Sequence, residues 1–177
     1  FALSRREPAY VSRTEAIRAK EARRAGGDLS ALAMLQKAGI DEEMLKNSSV
    51  GSVIFANKPG DGSAREQAAS CQRVLGGCAN ICYEFATKRY RSNCINWGIL
   101  PFTLDKDTPF DYQPGDCVFV PGIRRAIEED VEDIPAKVIR SDGGVENILL
   151  HVKGLTEDEK QIILDGCLMN YYAKRGE

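Results

Sequence analysis

The feature that most constrains this chain is an alternation that begins at Gly51. GSVIFANK is a short apolar run with β-branched residues, the pattern of a buried strand. A turn rich in glycine and proline follows, Pro59-Gly60-Asp61-Gly62. AREQAASCQRVLGG then reads as a helix with Ala68, Cys71, Val74 and Leu75 on one side and Gly76-Gly77 as its stop. CANICYEFA is a second strand, and TKRYRSNCINWGI a second helix that closes near Gly98. Strand, turn, helix, strand, helix predicts an α/β unit with parallel strands.

The flanks differ from this unit. Residues 1–50 read as polar and helical, in three pieces: SRTEAIRAKEARRAGG, DLSALAMLQKAGI and DEEMLKN. Their Arg and Lys residues form a solvated face. Beyond the unit, PFTL and DCVFV are short strands joined by a loop, and PAKVIRSDGGVENILLHV is a hairpin around Asp142-Gly143-Gly144. TEDEKQIILDGCLMNYYAKRGE is a terminal helix with Thr156 as cap and Glu159 in the capping-box position. Its expected buried stripe is Ile163, Cys167 and Tyr171, beside Leu164, Leu168 and Tyr172.

Composition narrows the function classes. Acidic residues outnumber basic ones, 26 to 24, and no polybasic run forms, which disfavours a nucleic-acid surface. No apolar stretch approaches the roughly 18 residues of a membrane span, and no signal-peptide pattern opens the chain. It begins at Phe1 within a polar segment, and reads as a piece of something longer. The six cysteines include no C-x-x-C pair, Cys78 and Cys82 being the closest two, and His151 is the lone histidine. That argues against a zinc site. Buried free thiols and a reducing compartment are the expectation. His151 is expected at the surface of a strand.

GDGSAREQAAS, Gly60 to Ser70, admits two readings. Ser63 is a good N-cap, and Glu66 stands three residues later, as a capping box requires. In that case Ser63→Ala costs about 0.5–2 kcal/mol. Alternatively, backbone N–H groups, Ser63 and Arg65 hold an anion at the helix entrance. The residues alone leave both open.

Three ordered pieces carry a resemblance. GDGSAREQAASCQRVLGG is similar to the loop and helix G-x-G-S-S-R-E-H-A-A…L-G-G of the aconitase family of hydro-lyases. CANICYEFATKRYRSNCINWGILPFTL resembles the strand, helix and Leu-Leu-Pro-Leu segment that follow it. GGVENILLHVKGLTEDEKQIILDGCLMN resembles the closing hairpin and helix. Together they liken residues 51–177 to that family's C-terminal swivel domain, an α/β fold with a mixed β-sheet flanked by helices. Residues 1–50 form a helical N-terminal segment that matches the family poorly, either separate or a cut-down part of the same domain.

The resemblance implies a function. Such enzymes move water across a hydroxy di- or tricarboxylic acid, using a [4Fe–4S] cluster held by three other domains on the same chain or a partner subunit. This chain then binds no cluster and is inactive alone. Ser63 becomes the base that takes the Cα proton, Arg65 binds a substrate carboxylate, and Gly62 and Ala64 line the substrate. The implied location is cytoplasmic, or the mitochondrial matrix in a eukaryote. Ala64 replaces a second Ser, Gln67 a His, and Lys58-Pro59 an Asn/Tyr pair. A second substrate arginine cannot be placed on Arg5, Arg6 or Arg13. Asn93 and Trp97 read as packing and turn residues. The alternatives are a separate small subunit of an isopropylmalate-isomerase type enzyme, which the N-terminal helices and non-Met start argue against, and an RNA-binding or interaction module.

The implied base is demanding. Each unit by which the serine pKa falls costs about 1.36 kcal/mol, and a helix dipole supplies only about 0.3–1 kcal/mol. One aimed oxyanion donor is worth about 2.7–4 kcal/mol, so several loop N–H groups are required. Gly60 and Gly62 are expected to allow that approach and to take positive φ.

Overall fold

The computed structural model describes residues 3–176, so Phe1 and Glu177, the outer ends of the two spans above, lie outside the described residues. Helices α1 (Tyr10–Ala25), α2 (Ala33–Lys37) and α3 (Glu42–Lys46) precede strand β1 (Ser52–Ala56). Then come α4 (Arg65–Val74), β2 (Gly77–Cys82), α5 (Lys88–Asn96) and β3 (Leu100–Thr103). The chain continues through β4 (Cys117–Phe119), α6 (Ile123–Glu128), β5 (Asp133–Ile139) and β6 (Val145–His151), and ends in α7 (Glu157–Asp165) and α8 (Leu168–Ala173). No described helix is long and apolar enough to cross a membrane.

The strands form one mixed six-stranded sheet in the order β1-β2-β3-β6-β5-β4. β2 runs parallel to both β1 and β3, with α4 and α5 as the crossovers. This is the α/β unit expected from the alternation. The hairpin is also present: β5 and β6 pair antiparallel from Asp133↔His151 to Ile139↔Val145. The two halves of the sheet meet at Thr103↔His151.

The main core joins Ile81 and Phe102 of the parallel half to Ile134, Ala136 and Leu150 of the hairpin. A second cluster packs Leu29, Leu32, Leu35, Ile40 and Leu45 against Ile139, so the N-terminal helices share a core with the sheet. A third, beneath the Gly60 turn, unites Ala69 of α4 with Tyr90 and Cys94 of α5 and with Ile99.

Several elements depart from expectation. On α4 the buried residues are Ala69 and Gln72, and Leu75 just past its end is buried as expected, whereas Ala68, Cys71 and Val74 face outward. The cause is a polar anchor: Gln72 Nε2 donates to the Ala79 carbonyl (3.0 Å), and Gly77 lies so close that a Cβ there would be 2.4 Å from Gln72 Cγ. The terminal helix is two helices. Gly166 takes φ 94° between them, and its carbonyl lies where a Cβ on Gly98 would be 1.8 Å away. The buried residues of α7 are therefore Ile162 and Lys160, not the expected stripe, and Tyr172 is exposed. Helix α6 was not anticipated; it is short, opens on left-handed Gly122 and carries only Ile123, Ala126 and Ile127 as apolar residues.

Candidate functional site

The loop between β1 and α4 is fastened to the segment between β2 and α5. The Asn57 carbonyl accepts from Tyr83 N–H (3.2 Å) and Glu84 N–H (3.3 Å), and the Pro59 carbonyl from Ala86 N–H (2.8 Å). The Gly60 carbonyl accepts from the Thr87 hydroxyl (3.1 Å) and from Arg65 Nε (3.0 Å). Gly60 takes φ 98°, and a Cβ would lie 2.5 Å from that of Tyr90. Both conformation and packing therefore require glycine there. Gly62 does not share the expected positive φ, and a Cβ on it would meet nothing within 4 Å.

Ser63 does not cap α4. The helix starts at Arg65, and Ala64 is its N-cap, with no side-chain hydrogen bond. The cap comes from α5: with its amide oriented to satisfy both neighbours, the Asn93 oxygen accepts from Glu66 N–H (3.0 Å) and its NH₂ donates to the Arg89 carbonyl (3.2 Å). The Glu66 carboxylate, instead of reaching back to Ser63, accepts from Trp97 Nε1. Asn93 and Trp97 thus organise the helix entrance, a role their sequence context did not reveal. Ser63 is exposed and its hydroxyl has no partner among the described residues. The N–H groups of Gly62, Ser63, Ala64 and Arg65 likewise find no acceptor among the described residues. Arg65 is oriented through Nε and makes no ion pair with Glu66, which leaves the outer edge of its guanidinium unpaired among the described residues.

These groups border an open hollow of about 390 Å³ between the starts of α4 and α5. Ser63, Arg65 and Glu66 line one side, and Lys88, Arg89, Ser92 and Asn93 the other. The three α5 side chains at positions 88, 89 and 92 were not singled out in the sequence; two adjacent cations opening a helix were the available signal. The arrangement can bind a small anion through N–H groups and guanidinium together.

A chain similar along most of its length comes from Metallosphaera sedula, a 3-isopropylmalate dehydratase small subunit: 33% identical over 136 residues, which is 76% of this chain and 73% of the subunit. The chain belongs to the aconitase family. Accordingly, a family model described as the aconitase C-terminal domain matches residues 30–107, which include the loop and both lining helices. An aconitase-family relative from Bradyrhizobium diazoefficiens, aconitate hydratase A, is 28% identical over 127 residues. The chain spans 70% of itself but 14% of that enzyme in the match. The aconitase-type match begins at Leu29's neighbour Ser30, so it includes part of the N-terminal helical segment.

The fit of an iron–sulfur cluster can be judged from the donors. Among the described residues no three His, Cys, Asp or Glu side chains gather into a metal-binding group. All six cysteines are free. Burial pushes the Cys94 and Cys78 thiols up to about 11 and Cys82 to about 12, as for cysteines packed among apolar groups. These residues do not fit a [4Fe–4S] cluster. His151 is in a strand, but it is buried rather than at the surface: its Nδ1 lies 2.7 Å from Asp133 Oδ1 and its Nε2 3.4 Å from Asp105 Oδ1. It ties the two halves of the sheet and lines no part of the hollow.

Proposed function

We propose that this chain is the swivel-type domain of a hydro-lyase acting on a hydroxy di- or tricarboxylic acid, with Ser63 as the base and Arg65 as a carboxylate-binding residue. The supporting observation is the freedom of Ser63. A capping hydroxyl would be occupied by the helix, whereas this one stands open beside unpaired loop N–H groups and a half-oriented guanidinium.

The chemistry follows from those groups. Ser63 Oγ, as alkoxide, takes the proton from the carbon α to a carboxylate and becomes a neutral hydroxyl. The C–H electron pair becomes the new C=C bond as the C–O bond on the adjacent carbon breaks and its oxygen departs as water, protonated by a group outside this chain. The loop N–H groups hold the alkoxide charge before transfer. A single aimed donor contributes about 2.7–4 kcal/mol, and the start of a helix adds about 0.3–1 kcal/mol. Arg65 Nε stays on the Gly60 carbonyl, while its outer N–H groups pair with a substrate carboxylate. Gly62 leaves room for the acid to approach the backbone, and Ala64 contributes its N–H and no hydroxyl. The cluster of this reading belongs to other domains, on the same chain or a partner subunit, and the enzyme to the cytoplasm or mitochondrial matrix.

The test is kinetic, in the assembled enzyme. Ser63→Ala is expected to lower kcat steeply while KM stays within a few-fold; Arg65→Lys is expected to raise KM clearly with a smaller fall in kcat. A Ser63→Ala enzyme with near-wild-type kcat would end the assignment of the base.

A further inference from the structure

The hollow holds an electrostatic conflict. Lys88 and Arg89 are the first two residues of α5, at the positive end of the helix, and no acidic residue occupies that turn. Neighbouring cations are neutralised: Lys58 pairs with Glu84 (3.0 Å) and Arg91 with Glu159 (3.4 Å). Arg65, Lys88 and Arg89 have no such partner among the described residues, although all three line one hollow. Its one carboxylate, Glu66, is turned to Trp97. Three cations against one carboxylate leave two positive charges uncompensated. Cations gathered at the positive end of a helix, against its dipole, favour an anion in the hollow between them and Arg65.

We propose that Lys88 and Arg89 are specificity-determining residues that bind a second carboxylate of the acid whose first carboxylate meets Arg65. This rests on the reading of Arg65 given above. Two adjacent cations across the hollow select acids with carboxylates on separate carbons, and at low ionic strength a third carboxylate adds only its own attraction to the same charges. An ammonium and a guanidinium side by side also tolerate different spacings of that second group better than one rigid fork would.

The experiment titrates the 177-residue chain at low ionic strength with tricarballylate, glutarate and butyrate, which carry three, two and one carboxylates. The expected order of affinity is tricarballylate, glutarate, butyrate. Lys88→Gln with Arg89→Gln should weaken tricarballylate about tenfold or more and butyrate less than about twofold, which compresses the order. Both changes remove a cation from the positive end of a helix, so the melting temperature should hold or rise. Lys37→Gln with Lys137→Gln, an equal loss of charge elsewhere, should leave the order intact. An unchanged spread of affinities in the α5 variant overturns the inference, as does an equal effect of the control pair or no discrimination by the wild-type chain. Arg65→Gln should weaken all three acids. If Arg65→Gln changes none of them while the α5 variant acts as described, the Arg65 reading fails and the α5 contact stands.

Discussion

Two helices in this chain open on the same local pattern, a hydroxyl residue followed three positions later by glutamate, and they end differently. At Thr156-Glu157-Asp158-Glu159 the capping box closes: Glu159 N–H donates to Thr156 Oγ1 (3.2 Å), and Thr156 N–H to the Glu159 carboxylate (3.0 Å). At Ser63-Ala64-Arg65-Glu66 it does not. There Asn93 takes the N–H and Trp97 the carboxylate, both from the neighbouring α5 region. A capping bond is worth about 1 kcal/mol, so one well-placed tertiary partner is enough to displace it. The displaced hydroxyl is the one with no structural task.

The ground beneath the two helices differs too, and alkali should expose that most strongly. Under the Ser63 loop lie Tyr90, Cys94 and Cys82, with Asn80 donating to the Tyr90 hydroxyl (3.1 Å) and to Cys94 Sγ (3.3 Å). Burial raises the Tyr90 phenol, and it moves Cys94 to about 11 and Cys82 to about 12 from an ordinary 9.0. The folded state keeps protons that the unfolded chain releases, so stability is full below the ordinary thiol value and falls as pH rises through 11 and 12. Urea unfolding followed by Trp97 fluorescence should show a clear loss between pH 8 and 10.5. The slope should be shallower in Cys82→Ala, whatever that variant costs at pH 8. Equal stability at the two pH values would remove the thiols from the account.

Gly60→Ala should be the most damaging single change to the Ser63 loop, at about 3 kcal/mol, since it combines strain at φ 98° with a clash on Tyr90. Gly62→Ala should be neutral for folding, because its Cβ meets open space. If it nonetheless weakens binding of carboxylates, the backbone there is approached by ligand. Thermal unfolding of both variants separates the two glycines, and a Gly60→Ala protein as stable as wild type would show the loop to be built otherwise.

How far the residues foretold this arrangement depends on whether the signal was local. The β1–α4–β2–α5–β3 alternation, the hairpin and the Thr156 box are read correctly because glycine stops, β-branched runs and a capping pattern act within a few residues. The buried face of α4 is misread because Gln72, polar in isolation, satisfies the Ala79 carbonyl. The break at Gly166 depends on Gly98, and burial of His151 on Asp133 across the hairpin, both distant in sequence. At the site, Ser63 and Arg65 were legible as candidates, but their freedom was not. It is decided by Asn93 and Trp97, which lie beyond a helix and a strand, Trp97 31 residues after Glu66.

Intermediate effects should follow removal of either cap. Asn93→Ala takes away the acceptor of Glu66 N–H and is expected to cost about 1–2 kcal/mol. Thr156→Ala removes one side of an exposed box and should cost about 1 kcal/mol. Chemical denaturation at pH 7 measures both. A harmless Asn93→Ala would mean that α4 holds its own entrance.

The smallest effect is expected from Ser63→Ala, within about 0.5 kcal/mol of wild type, as for an exposed residue that bonds nothing among the described residues. The pattern read locally gives the opposite answer, a loss like that of Thr156→Ala. The background decides between them. Once Asn93 is replaced by alanine, Glu66 N–H lacks its partner, and Ser63, already nearby in the chain, becomes the available hydroxyl. Ser63→Ala should then cost more in the Asn93→Ala protein than in the wild type, a coupling of about 0.5 kcal/mol or more. Unfolding free energies of the two single variants and the double variant measure it directly. A loss of about 1 kcal/mol from Ser63→Ala alone would show that the serine caps α4 in solution and that its hydroxyl is not free for chemistry.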